Sequence, residues 1–221
     1  MGRAFEVQWS GDLPGTPSEA WDAITARTGG WLWPISYEPR EGGAETGLNG
    51  NGGTVTAWDP PRRSGVVSAE GDNALDYRLD GTHLDYTQRG EFDDAEYDVQ
   101  LDACRRHTDF YYHSLGQYLE HFAGRELTYA AIDLPAETTM AELRRMVGIP
   151  HDARVGNRVR LTAGDAKPVD GVVDYATAPF LGVRAESGLY RFFGRDEWGW
   201  PVGVAVHLVE GDAEAWLKGI R

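Results

Sequence analysis

The residues of this chain with side chains suited to moving a proton crowd into one stretch. His107, His113 and His121 stand together there, and Asp109 precedes His113 by four residues, the helical spacing that holds an imidazole tautomer for general-base work. Such a pair acts only inside a substrate pocket; otherwise these are surface or capping histidines. Glu91, Asp93, Asp94, Glu96 and Asp98 form an acidic cluster, but a calcium loop needs a glycine at its turn and none occurs between Phe92 and Cys104. Asp93 and Asp94 therefore read as charges favouring a helix amino end. No nucleophile elbow, phosphate loop, zinc-type His-Glu-x-x-His or dinucleotide fingerprint is present, and the glycine-rich GLNGNGGT lacks the lysine and following helix that phosphate binding requires. The reading is of no cofactor, no metal and no assigned catalytic residue.

These residues need elements to position them. Phe5, Val7 and Trp9 alternate as in a strand with one buried face. Pro17 suits a first helical position, Thr16 or Ser18 can cap it, and Ala20, Trp21 and Ile24 recur at helical spacing until Gly29-Gly30. Pro34 and Pro39 confine any strand that follows to an edge or to short pieces. From Gly53 the texture is of short strands, 54–58, 64–70, 74–79 and 83–90, with DPPRR, GDN and DGT between them, the cadence of an antiparallel meander. Pro60-Pro61 presets a sharp corner that neither neighbouring strand can absorb. The run from Asp93 to Gly124 then reads as a long helix with Phe110, Tyr111, Leu115, Tyr118, Leu119 and Phe122 on one stripe.

The order recurs. Asp133-Leu134-Pro135 repeats Asp12-Leu13-Pro14, each before a capped helix, and GVVDYATAPFLGV from Gly171 lies against GTVTAWDPPRRSGVV from Gly53. Strand-like runs and a short helix over 212–220 follow. The expectation is an α+β fold of two copies, 1–125 and 126–221, the second reduced. Its apolar face, including Tyr190, Phe192, Trp198 and Trp200, is expected to pack against the first copy or a partner.

Composition bounds the partners. The 221 residues carry 35 acidic and 21 basic side chains, a net charge of -14, and residues 1–126 hold 22 of the acids and 10 of the bases, so most of the excess lies in the first copy. Such a surface repels phosphate backbones and excludes nucleic acid as a partner. Cys104 is the only cysteine, so no intramolecular disulfide forms, and neither a signal peptide nor an apolar run of spanning length occurs. Together these point to a cytoplasmic protein with no membrane span.

The opening strand, TPSEAWDAIT, YEPREGGAE, the GTVTAWDPPRRSGVV corner and the stretch from Leu115 to Phe122 resemble the START-like (SRPBCC) superfamily, in particular the branch related to the carboxy-terminal domain of activators of the Hsp90 ATPase. The likeness covers about residues 4–123. It departs from the family at RTGGWLWPIS, with two tryptophans, and in the acidity of EFDDAEYDVQLDACRRH.

The resemblance implies a helix-grip fold, an antiparallel sheet wrapped on the long carboxy-terminal helix with a cavity between them. Trp31, Trp33, Tyr77, Tyr86, Phe110, Tyr111, Ser114, Leu115 and Tyr118 then form either an aromatic binding pocket with a few polar tips or packed core. Three functions are implied: binding of a hydrophobic or aromatic small molecule, an Hsp90-activator-like interaction module with a chaperone partner or as a homodimer, and a cyclase or hydrolase using Asp109 with His113, or a tyrosine, as acid and base. Small-molecule binding is the leading expectation.

Overall fold

Each Asp-Leu-Pro closes a strand and delivers the chain into a capped helix. In the computed structural model, which describes residues 2–48 and 51–220, β1 (Gly2–Asp12) leads to α1 (Pro17–Thr25), where Thr16 accepts from the Glu19 backbone N–H and Glu19 reaches back to the cap. Later, β8 (Thr128–Asp133) leads to α3 (Met140–Met146), and Thr139 forms the same reciprocal capping box with Glu142. Leu13 and Leu134, at the centre of the two motifs, are both buried. Part of the glycine-rich loop, residues 49–50, lies outside the described residues.

The chain divides into two compact units, Met1–Gly124 and Arg125–Arg221. In the first, β2 (Ser36–Tyr37), β3 (Ala44–Thr46), β4 (Gly53–Asp59), β5 (Arg63–Ser68), β6 (Asn73–Asp80) and β7 (His83–Asp93) join β1 in an antiparallel sheet. Its order is β1-β7-β6-β5-β4-β3-β2. The meander is therefore closed by its first and last strands, paired from Gly2 with Asp93 to Asp12 with His83. The prolines leave β2 only two residues long and at the edge of the sheet. Helix α2 (Tyr97–Phe122) packs against β1, β7, α1 and the 3-10 turn Thr28–Gly30.

The second unit has β9 (Arg158–Leu161), β10 (Val169–Ala176), β11 (Phe180–Ala185), β12 (Gly188–Phe193) and β13 (Gly203–Leu208), with β8, in the order β8-β13-β12-β11-β10-β9. Again the first strand pairs with the last and the hairpins run back from there. The two halves are similar in one further detail. β4 is bulged against β5 between Val55 and Ala57, and β10 against β11 between Val173 and Tyr175, two residues after Gly53 and Gly171 respectively.

The halves end differently. Helix α4 (Ala213–Lys218), capped by Asp212, has six residues where α2 has 26. It packs with α3 on a core that includes Leu143, Val147, Val183, Val206 and Leu217. Tyr190 and Phe192 lie inside this core, and the Tyr190 ring meets Trp216 edge-on at 4.9 Å. That corrects the expectation that these two present an outer packing face. Trp198 and Trp200 are half-buried with ring centroids 6.1 Å apart.

Candidate functional site

The first unit contains a cavity of about 250 Å³. Its wall comes from four places. Trp31, Leu32 and Trp33 follow the 3-10 turn, and Leu48 follows β3. Asn73, Leu75 and Tyr77 come from β6 with Tyr86 and Gln88 from β7; Cys104, His107, Thr108, Tyr111 and Tyr112 come from α2. The strand residues are two apart, so each set shares one face of the pleated sheet. The register Tyr77 with Tyr86 and Leu75 with Gln88 places them side by side. The helix residues recur at spacings of three and four, the period of one helix face.

Five of the nine residues expected to form the site, Trp31, Trp33, Tyr77, Tyr86 and Tyr111, line this cavity. Phe110, Ser114, Leu115 and Tyr118 are buried and line none of its wall. Ser114 donates to the Phe110 carbonyl at 2.9 Å, and the Tyr118 ring packs over Gly30, where a Cβ would come within 2.5 Å of it. Asp109 borders a separate polar cleft with Glu6, Gln8 and Arg105, and His113 lines neither that cleft nor the cavity.

Sequence reasoning missed Tyr112, Asn73 and Gln88. Tyr112 is the aromatic hub, with the rings of Trp9, Trp31 and Tyr86 at 4.6, 5.8 and 4.9 Å. A signal for each was present. Stepping two residues along the strands from Tyr77 and Tyr86 reaches Leu75, Asn73 and Gln88, and stepping four and eight from Cys104 reaches Thr108 and Tyr112.

The wall is polar in places and contains no Asp, Glu, Lys or Arg. Burial pushes the Tyr77 hydroxyl up to about 12 and those of Tyr86 and Tyr112 well above the ordinary phenol value. Burial likewise raises the Cys104 thiol to about 11. At neutral pH all four keep their protons, and Tyr86 and Cys104 donate theirs to Gln88. Two indoles are held from behind, Trp31 Nε1 donating to Ala23 O at 2.9 Å and Trp33 Nε1 to Gly47 O at 2.7 Å, so their rings are fixed as walls. Beside the cavity, Glu45 is 1 % exposed; one carboxyl oxygen accepts from Leu48 N–H at 2.6 Å and the other has no partner.

Among the described residues, no group of three His, Cys, Asp or Glu side chains is arranged to hold a metal ion, and no helix is long and apolar enough to cross a membrane. The arrangement offers shape, aromatic surface and hydrogen-bonding groups.

No family model and no curated protein matches the chain. Among solved structures, MLL2253 from Mesorhizobium loti is 18% identical, with a TM-score of 0.45 over 53% of this chain and 98% of its own. The Aha1 dimer from Colwellia psychrerythraea is 16% identical, with a TM-score of 0.40 over 52% and 96%. DynU16, a putative protein in the dynemicin biosynthetic locus, is 14% identical with a TM-score of 0.43, and the match spans 97% of this chain and 93% of that one. At such scores, function has to be argued from this chain's own residues.

Proposed function

We propose that the first unit binds an uncharged aromatic small molecule in the cavity between its sheet and α2. One observation carries this reading: a hollow of about 250 Å³ whose wall joins five aromatic residues expected from the sequence to a few neutral polar groups, with no acidic side chain, lysine or arginine. A volume at the small end of ligand cavities suits a molecule of one or two rings. With no acidic side chain, lysine or arginine on the wall, little repays the desolvation of an ionic ligand. We read the two units as copies of one helix-grip topology, on the strength of shared strand order, matched bulges and matched capping boxes. In the second copy the short α4 leaves the binding role to the first.

Trp31 and Trp33 supply the readout. Titrating the full chain with 2-ethylnaphthalene and 2-acetylnaphthalene should quench tryptophan fluorescence saturably, and Leu75→Trp, which fills the cavity from β6, should abolish the saturable phase while the far-ultraviolet circular dichroism is retained. Should Leu75→Trp unfold, Thr108→Phe fills the same space from α2. Linear, unsaturable quenching by both compounds, or binding unchanged in a folded, filled variant, overturns the proposal.

A further inference from the structure

The cavity's polar groups are joined in a chain, and the chain has a direction. The Tyr86 hydroxyl has one proton to give. It gives it to Gln88: Tyr86 OH donates to Gln88 Oε1 at 3.1 Å, and Cys104 Sγ–H donates to the same oxygen at 3.4 Å. With two donors on one carbonyl oxygen, the Gln88 amide is held with its nitrogen towards β6, where Nε2 donates to Asn73 Oδ1 at 2.9 Å. Orientation of an amide is decided by such a network. Reversing Gln88 would set its NH₂ against two groups whose protons are held in place by burial.

Asn73 receives the end of this relay. Its carbonyl oxygen accepts from Gln88 Nε2, and among the described residues no protein acceptor takes the hydrogens of its Nδ2. Asn73 lines the cavity and is half-buried. A ligand acceptor that meets a donor held in one orientation gains a hydrogen bond on entering the cavity, and sites that place such donors discriminate between ligands that offer the matching atom and ligands that do not.

Resting on the binding role proposed above, we infer that Asn73, fixed by the Tyr86–Gln88 relay, is the specificity-determining residue of the cavity and selects aromatic ligands bearing a neutral hydrogen-bond acceptor, such as a ketone, quinone or lactone carbonyl. Asn73 is the contact and Gln88 the positioning residue. A phenol of the same shape meets the donor end of Asn73 less well, because its oxygen is a weaker acceptor than a ketone carbonyl.

Isothermal titration of the full chain with 2-acetylnaphthalene, 2-ethylnaphthalene and 2-naphthol tests this. The ketone is expected to bind on the order of tenfold more tightly than the hydrocarbon, the advantage of one hydrogen bond made inside the cavity. Asn73→Asp keeps the oxygen that accepts from Gln88 and replaces the donor by a second acceptor. It should remove the ketone's advantage, leave the hydrocarbon's affinity within a few-fold, and shift preference towards 2-naphthol. Gln88→Leu breaks the relay without touching Asn73 and should reduce the discrimination by letting the Asn73 amide turn. Equal binding of ketone and hydrocarbon to the native protein overturns this inference and leaves the binding role standing. Unaltered ketone preference in Asn73→Asp overturns it too, and no binding of any probe removes both.

Discussion

Glu45 shows how a single side chain can act against the fold that holds it. Sitting between Tyr37 and Gly53 across neighbouring strands, it has no charged partner among the described residues, and burial raises its carboxyl above the ordinary value. A raised folded-state value means that the contribution of the protonated acid is fully present below the unfolded value of about 4.3 and is lost as pH rises through the folded one. Glu45→Gln keeps the acceptor for Leu48 N–H and removes the charge. It should match the native protein at about pH 4 and exceed its stability by on the order of 1 kcal/mol at about pH 8, as measured by urea unfolding at both. An equal difference at the two pH values would show that ionisation of Glu45 is not the cause. Nothing in local sequence marks Glu45 as buried, since its neighbours are Ala44 and Thr46 in a three-residue strand; the burial comes from strands on either side. Trp31 and Trp33 were legible because tryptophan is seldom exposed in pairs, whereas Asn73 and Gln88 were hidden by side chains that read equally well as surface.

Among the elements, the corners and caps were the most readable, because their chemistry is local. Thr16 and Thr139 sit three residues before Glu19 and Glu142, and both boxes form. Thr16→Ala and Thr139→Ala should each cost about 1 kcal/mol in chemical denaturation. Gly53→Ala should cost more than either, since its Cβ would press on the Val67 carbonyl and come within 2.7 Å of Glu45 Oε2. A neutral Gly53→Ala would mean that the sheet yields at the bulge. Less was legible where pairing is non-local. β7 runs on to Asp93 because β1 reaches Gly2 beside it, so α2 begins at Tyr97 rather than at the acidic cluster, and Asp93 accepts instead from Ala95 N–H at 3.0 Å. β9 escaped notice for a similar reason: Arg158–Leu161 alternates for only four residues and owes its strand to pairing with β10.

For the whole molecule, the repeated order of strand, capped helix and meander was visible in two short anchors, and the strand orders of the two sheets are alike in the same way. What the anchors did not carry was the placement of the long helix's aromatic side chains, because a stripe drawn at helical period does not say which edge of it meets a hollow. Tyr112 lies at that edge, while Phe110, Leu115 and Tyr118 are buried apart from the cavity wall. The excess acidity of the first unit gives a surface that repels anions, in keeping with a neutral ligand. The most direct measurement of the central claim is nitrogen-edited NMR of the uniformly labelled full chain during titration with 2-acetylnaphthalene. The predicted result is saturable movement of the side-chain amide signals of Asn73 and Gln88 and the indole signals of Trp31 and Trp33. Movement confined to other residues, or none up to the solubility of the probe, would contradict it.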